Sequence, residues 1–62
     1  MEEIGRTIAE RRRELGLSQQ EVAALSGVGI NTLVAIEGGK GNPSFKTLSR
    51  VAGVLGFGLR LV

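Results

Sequence analysis

The 62-residue sequence contains no cysteine, histidine, aspartate, tyrosine or tryptophan. The absence of cysteine excludes disulfide bonds, and the absence of both cysteine and histidine removes the usual ligands of transition metals. The acidic residues are six glutamates, most of them on charged helix faces, so no nucleophile–base pair can be recognised. The sequence therefore predicts neither an enzyme nor a metal or cofactor site.

Long apolar runs are also missing. No run approaches the roughly 18 residues that span a bilayer. The first residues, Met1-Glu2-Glu3, are acidic and are not followed by the apolar segment of a signal peptide. We therefore expect a cytoplasmic protein that does not bind a membrane.

The chain has the length of a single small domain. A domain of this size buries only about 60% of its unfolded surface. Without disulfides or a metal, oligomerisation is the remaining means of adding stability, so we expect a homodimer. The net charge of +2 and the sequence pI near 10.0 favour a polyanionic partner.

Two amphipathic helices are predicted in the first half of the chain. The first runs from about Glu2 to Leu15 and is followed by Gly16 at a C-cap position. Its apolar face carries Ile4, Ile8, Arg11 or Arg12, and Leu15. The second, Gln19 to Ser26, opens with a capping box and ends at Gly27. The capping box pairs Ser18 with Glu21, and the residues expected to be buried are Val22, Ala23 and Leu25.

Two further helices are predicted after a short turn. The third spans Ile30 to Glu37 and turns Leu33 and Ile36 inward. For the fourth, Asn42 is the expected N-cap and Pro43 the first helical residue, with Gly56 at the end. The expected buried face of the fourth helix is Phe45, Leu48, Val51, Ala52 and Leu55.

The last six residues follow a different pattern. Phe57, Leu59 and Leu61 alternate with Gly58, Arg60 and Val62, which is typical of a β-strand. A single strand leaves its backbone amides unpaired, and pairing with the same strand of a second copy removes that problem. The predicted fold is thus all-α, with a four-helix domain at residues 1–56 and a dimerisation strand at residues 57–62.

The second and third helices carry the pattern of a helix-turn-helix. Small Ala23 lies where the helices would cross, and Gly27 lies four residues later, where the turn needs a positive φ. Leu33 and Ile36 follow on the inner face of the next helix. A generic helical hairpin is the alternative, but it does not require this order of small, glycine and apolar positions.

The segment from Ile4 to Gly56 resembles the lambda-repressor-like, Xre-type DNA-binding domains. The resemblance is carried by four motifs: R-x-x-x-G-L-S-Q at Arg12 to Gln19, G-V-x-x-x-T-L from Gly27, I-E-G-G-K from Ile36, and N-P-S-F-x-T-L from Asn42. The ending F-G-L-R-L-V resembles that of the HipB-like antitoxin repressors, in which a C-terminal strand pairs between subunits. The resemblance implies a lambda-repressor-like bundle that binds double-stranded DNA.

By this resemblance, Ile30 to Glu37 is the recognition helix. The positions implied to read bases are Gly29, Ile30, Asn31, Thr32, Val34 and Ala35. Asn31 can pair with adenine, Thr32 can donate to a base or phosphate, and the apolar residues can contact thymine methyl groups. Relatives often carry polar or basic residues at the positions of Gly29 and Ile30, whereas this sequence has a glycine and an apolar residue there. The structural alternatives are a capping or solvated Asn31 and an Ile30 that packs against a partner.

Phosphate contacts need other residues. The resemblance implies a phosphate clamp at Gln19, at the start of the second helix. A second clamp is expected around the start of the fourth helix, from Lys40, Asn42, Ser44 and Lys46. The alternatives are an ordinary exposed helix start for Gln19 and ordinary surface positions for the two lysines.

Arg12 and Glu37 are expected to form a structural ion pair. Arg12 shares a face with Ile8 and Leu15 and needs a partner if it is buried, and related repressors contain an Arg–Glu pair at these positions. The pair would turn the negative charge of the third helix inward. Arg11 and Arg13 are expected to be solvated, with a contact to flanking DNA left open.

Two functions remain after these considerations. The first is a homodimeric, sequence-specific DNA-binding repressor of transcription. The second is an antitoxin or interaction module whose main role is to bind a HipA-like toxin, with DNA binding used for autoregulation.

Overall fold

A computed structural model describes residues 2–57 of the chain. This part of the chain forms four α-helices: α1 (Glu2–Glu14), α2 (Gln19–Ser26), α3 (Ile30–Glu37) and α4 (Phe45–Val54). It contains no β-strand, so the predicted helical architecture is confirmed for residues 2–57. Over the same residues, every helix is too short or too polar to cross a lipid bilayer.

The start and end of α2 follow the local sequence signals. The Ser18 hydroxyl accepts a hydrogen bond from the Glu21 amide at 3.0 Å, and the Glu21 carboxylate accepts one from the Ser18 amide at 2.8 Å. The Ser18 amide, and then its hydroxyl, hold the pKa of Glu21 below its ordinary value. Gly27 ends the helix with a φ of 73°, a left-handed conformation that glycine adopts without strain. The predicted capping box and turn are thus confirmed.

The core is built from all four helices. Helix α1 packs against α3, and α2 packs against both α3 and α4. The buried core residues are Ile8, Val22, Ala23, Leu33, Ile36, Val51 and Leu55. The half-buried residues that pack around them are Leu17, Val28, Leu48, Val54 and Phe57. The inward orientation predicted for Leu33 and Ile36 is confirmed.

The buried face of α1 differs from the predicted one. It consists of Gly5, Ile8, Ala9 and Arg12, whereas Ile4 is 48% exposed and Leu15 is also exposed. The small residues at positions 5 and 9 allow α1 to approach its neighbour closely. The buried face of α1 is therefore displaced from the predicted one, which was centred on large apolar residues.

The prediction that Leu25 is buried is wrong. Leu25 is 66% exposed, and the buried position is Ser26, whose hydroxyl donates to the Val22 carbonyl at 2.7 Å. Val22, Ala23 and Ser26 share one side of α2. Since successive residues turn by about 100°, Leu25 points roughly 100° away from the centre of that side.

The predicted start of α4 is also wrong. The N-cap is Ser44, which accepts a hydrogen bond from the Thr47 amide, and the helix begins at Phe45. Asn42 and Pro43 lie in the preceding loop. Phe45, predicted to be buried, is exposed because the buried face starts at Leu48, one turn later. The remaining predicted core positions, Val51, Ala52 and Leu55, are buried.

Phe57 closes the end of α4. Its amide donates to the Ala52 carbonyl at 2.8 Å, and the Gly56 amide donates to the Gly53 carbonyl at 3.3 Å. With Gly56 at a φ of 81°, this is a Schellman motif. The first residue of the predicted strand, Phe57, thus has its amide bonded to α4, and a strand paired between two copies stays a prediction. The rest of that strand, including Leu59 and Leu61, lies outside the described residues.

Candidate nucleic-acid interface

The turn between α2 and α3 orients α3 on the core. Val28 is half-buried, and its amide donates to the Ala23 carbonyl at 3.2 Å. Gly29 is the N-cap of α3 and supplies no side-chain hydrogen bond to the first turn. Because Val28, Leu33 and Ile36 all pack inward, the opposite side of α3 faces solvent.

The six residues predicted to read bases lie on this outer side. Gly29, Ile30, Asn31, Thr32 and Val34 are exposed, and the sixth, Ala35, is half-buried. Ile30 and Val34 are large aliphatic residues with 38% and 46% of their surface exposed. The surface is uncharged, so base recognition here would rely on one amide, one hydroxyl and several methyl groups.

A cleft of about 380 Å³ joins this surface to the loop before α4. The lining residues are Asn31, Thr32, Ala35, Ile36, Lys40, Gly41, Asn42 and Pro43. The loop is tied to α3 by the Lys40 amide, which donates to the Ala35 carbonyl at 2.8 Å. The structure thus brings three predicted base-reading residues, Asn31, Thr32 and Ala35, together with two predicted phosphate-binding residues, Lys40 and Asn42.

The other two predicted phosphate ligands near α4 have different environments. The Ser44 hydroxyl accepts from the Thr47 amide and donates to the Thr47 hydroxyl, both at 3.1 Å. It is therefore engaged in capping the helix. Lys46 is exposed in the first turn of α4 and leaves its ammonium group in solvent.

Gln19, at the start of α2, belongs to a hydrogen-bond network with Arg12 and Glu37. Arg12 donates from Nε to Oε2 of Glu37 at 2.7 Å and from Nη2 to Oε1 at 3.0 Å. Its Nη1 donates to the Leu17 carbonyl at 2.9 Å, and Nε2 of Gln19 donates to Oε1 of Glu37 at 3.0 Å. The network connects α1, the start of α2 and the end of α3.

The ion pair in this network is shielded from solvent. The side chains of Arg12 and Glu37 are only 11% and 6% exposed. Burial raises the pKa of Glu37, but hydrogen bonds from Arg12 and Gln19 and the charges of Arg12 and Arg13 lower it by more. The net pKa lies below the ordinary value, and the hydrogen bond to Glu37 raises the pKa of Arg12. The negative charge of α3 is therefore held inside the protein.

The expectation that Arg11 is solvated holds only in part, since its side chain is 39% exposed. It is half-buried, and its Nε donates to the Leu55 carbonyl at 3.0 Å, at the C-terminal end of α4. The sequence contained a signal for this role, since Arg11 follows Ile8 by three residues on the apolar side of α1. Arg13 is exposed, as expected.

Comparison with known proteins points to one family. The family model HTH_3, a helix-turn-helix, matches residues 8–62. An uncharacterized HTH-type transcriptional regulator of Methanothermobacter thermautotrophicus is 45% identical over 49 residues, which cover 79% of this chain and 71% of that protein. The uncharacterized HTH-type transcriptional regulator y4dJ of Sinorhizobium fredii is 43% identical over 53 residues, covering 86% and 69%.

Two solved structures have the same fold. The structure of SinR, a master regulator for biofilm formation, in complex with DNA has a TM-score of 0.80 and 38% identity, with 89% of each chain covered. A chain of the complex between the SinR and SinI proteins has a TM-score of 0.80 and 39% identity. In that comparison 86% of this chain is covered, and it spans 52%, or about half, of the other.

Proposed function

Because this chain belongs to the helix-turn-helix family HTH_3, whose matched relatives are transcriptional regulators, we propose that it is a cytoplasmic, homodimeric repressor that binds double-stranded DNA. The observation that carries the proposal is the orientation of α3. Its inner side is buried through Leu33 and Ile36, and its outer side is accessible to solvent. A similar chain, SinR, has been solved in complex with DNA.

Base recognition is assigned to α3, placed in the major groove. Asn31 donates and accepts hydrogen bonds at an adenine, and Thr32 bonds to a base edge or a phosphate. Gly29 permits close approach because it has no side chain. The methyl-bearing side chains that face thymine are Ile30, Val34 and Ala35.

Phosphate binding is assigned to residues outside the recognition helix. Gln19 acts at the start of α2, where the backbone amides and helix dipole favour an anion. Lys40 and Asn42 act from the loop that lines the cleft beside α3, and Lys46 from the first turn of α4. Ser44 contributes through the capped start of α4, since its hydroxyl is occupied.

Dimerisation is assigned to the C-terminal end, residues 57–62, as in the HipB-like repressors that the tail resembles. The described part of the chain supports this with an open, mostly apolar groove between α1 and α4. The groove is lined by Ile4, Ile8, Leu48, Ala52 and Phe57, together with the polar residues Glu3 and Thr7. Two recognition helices then lie in successive major grooves, about 34–36 Å apart.

An antitoxin that binds a HipA-like toxin is the second candidate. It rests on the resemblance of the tail alone, and nothing in residues 2–57 favours it over the repressor. The SinR–SinI complex shows that a similar chain assembles with a protein partner. Co-purification with the product of a neighbouring gene would favour this candidate.

The proposal is tested by titrating the protein against mixed-sequence and genomic DNA duplexes, with binding followed by fluorescence anisotropy. We expect the logarithm of the binding constant to fall linearly with the logarithm of the salt concentration, by about 0.9 per phosphate neutralised. Light scattering should give the mass of a dimer at the concentrations used. A protein that binds no duplex at any salt concentration would contradict the proposal.

A further inference from the structure

The carboxylate of Glu37 determines how the side chain of Gln19 is oriented. An ionised carboxylate only accepts hydrogen bonds, so the group of Gln19 that faces it at 3.0 Å must be the nitrogen Nε2 and not the oxygen Oε1. The two bonds from Arg12 keep the carboxylate ionised and in place. The amide of Gln19 therefore has one defined orientation.

This orientation leaves a hydrogen-bond donor for another acceptor. Nε2 carries two protons, and only one is used by Glu37. Gln19 is half-buried at the first position of α2, and within residues 2–57 its side chain forms no hydrogen bond besides the one to Glu37. The cap residue Ser18 bonds the amide of Glu21, which leaves the backbone amides of Gln19 and Gln20 among the free donors of the first turn.

We infer that Glu37 is a positioning residue for phosphate binding: it holds Gln19 through one Nε2 proton and thereby directs the other toward a DNA phosphate. The inference rests on the proposed function. Glu37 is the last residue of α3, so the same contact sets the distance between the phosphate donor on α2 and the recognition helix. A carboxylate and a phosphate are then bridged by the two protons of one nitrogen, which reduces the repulsion between them.

The two side-chain protons of Gln19 can be followed separately by NMR of the ¹⁵N-labelled full chain. Gln20, which is exposed at the next position, is the matched control. In the free protein we expect one Nε2 proton of Gln19 to be shifted and protected from solvent exchange, unlike both protons of Gln20. When a mixed-sequence DNA duplex is added at low salt, the second proton of Gln19 should shift while the first keeps its bond.

Binding measurements with substitutions test the same coupling. We expect Gln19→Ala to weaken binding to the mixed-sequence duplex about tenfold, and Glu37→Gln to weaken it comparably. In the double variant, Glu37→Gln should add little to the loss caused by Gln19→Ala. Additive losses would show that Glu37 does not act through Gln19 and would overturn the inference. If Glu37→Gln does not fold, the NMR experiment on the unmodified chain decides the question.

The failure of this inference is distinguishable from the failure of the proposed function. If the unmodified chain binds no duplex, the proposed function is wrong. If it binds a duplex while both Nε2 protons of Gln19 behave like those of Gln20, or while neither shifts at saturation, only the role of Glu37 and Gln19 is wrong. A shift confined to the second proton supports the inference.

Discussion

Gly5 of α1 lies directly against the carbonyl oxygen of Ile36 in the last turn of α3. A β-carbon at Gly5 would overlap this oxygen and would lie 3.0 Å from the carbonyl oxygen of Glu37. The two backbones therefore cross without an intervening side chain. Because residues seven apart share a helix face, this crossing also brings Arg12 to the carboxylate of Glu37. The close contact and the ion pair belong to the same helix–helix interface.

We expect Gly5→Ala to destabilise the fold. The added methyl group forces the helices apart, which costs about 1–3 kcal/mol, and the better helix propensity of alanine, about 0.5–1 kcal/mol, recovers only part of this. Gly53→Ala is the matched control, since Gly53 is exposed in α4 and a β-carbon there meets no atom within 4 Å. It should raise the free energy of unfolding by about 0.4–1 kcal/mol. Urea denaturation of both variants gives the comparison, and equal effects would contradict the close crossing.

The start of α4 is tested by two further substitutions. Ser44→Ala removes the cap of the Thr47 amide and should lower the free energy of unfolding by about 1 kcal/mol. Asn42→Ala should leave it within about 0.5 kcal/mol, because Asn42 is exposed in the loop. Thermal unfolding followed by circular dichroism measures both. A larger loss of stability for Asn42→Ala than for Ser44→Ala would indicate that Asn42, the residue expected from the sequence, is the N-cap.

Breaking the ion pair should have a large effect. Arg12→Met leaves the carboxylate of Glu37 buried without its main partner, which we expect to cost about 3–5 kcal/mol. Arg13→Met, at the neighbouring exposed position, is the control and should change stability by less than about 0.5 kcal/mol. Replacing both partners, with Arg12→Met and Glu37→Leu, should restore part of the loss. If the double variant is no more stable than Arg12→Met, the isolated carboxylate is not the cause.

Stability should depend on pH through Glu37 and, in the same direction, through Glu21. Both have folded-state pKa values below the ordinary value of about 4.3. For each glutamate, at a pH between its folded-state and its unfolded-state pKa, the unfolded chain binds more protons than the folded chain. The free energy of unfolding therefore rises with pH in this range. The contribution is fully present above about pH 4.3 and is lost as the pH falls through the folded-state pKa.

Urea denaturation at a series of pH values from neutral to acid measures this dependence. We expect a plateau near neutral pH and a decline that begins as the pH approaches about 4.3 and continues below it. Glu37→Gln should be less stable at neutral pH and should lose stability less steeply in acid. An acid branch with the same slope in Glu37→Gln would show that Glu37 does not contribute.

We assign Asn31 to base recognition and Lys40 to phosphate binding, so replacing each residue should change DNA binding in a different way. Asn31→Ala should relax sequence preference at one base pair, at a cost of about 1–3 kcal/mol, and leave the salt dependence unchanged. Lys40→Ala should weaken binding to all sequences and reduce the salt slope by about 1. Selection from a random duplex pool, followed by anisotropy titration, provides both quantities. An Asn31→Ala protein with unchanged sequence preference would contradict the assignment of Asn31.

Much of the fold was predictable from short-range signals. The capping box of Ser18 and Glu21 and the left-handed Gly27 define α2 because both act through backbone hydrogen bonds and φ preferences within a few residues. The spacing of Leu33 and Ile36 set the inner side of α3 in the same way. These features depend on neighbours along the chain, and the structure agrees with the predictions for them.

Other features depended on packing between helices. The buried face of α1 includes the small residues Gly5 and Ala9 and leaves the large Ile4 exposed. This choice depends on how α1 packs against α3. Arg11 is half-buried because the C-terminal end of α4 happens to lie beside it and supplies the Leu55 carbonyl. Neither partner is near in sequence, and hydrophobic periodicity carries no information about where a distant carbonyl will lie.

Local sequence signals were enough to predict a small helical chain with a helix-turn-helix, because the capping, glycine and periodicity signals act within a few residues and agree with one another. They also predicted the solvent-facing residues of α3, to which we assign base recognition. The tertiary structure decided how α1 crosses α3, where α4 begins, and that Gln19 and Glu37 are joined by a hydrogen bond. Such long-range contacts form only when the helices pack, and their geometry depends on how closely the backbones can approach.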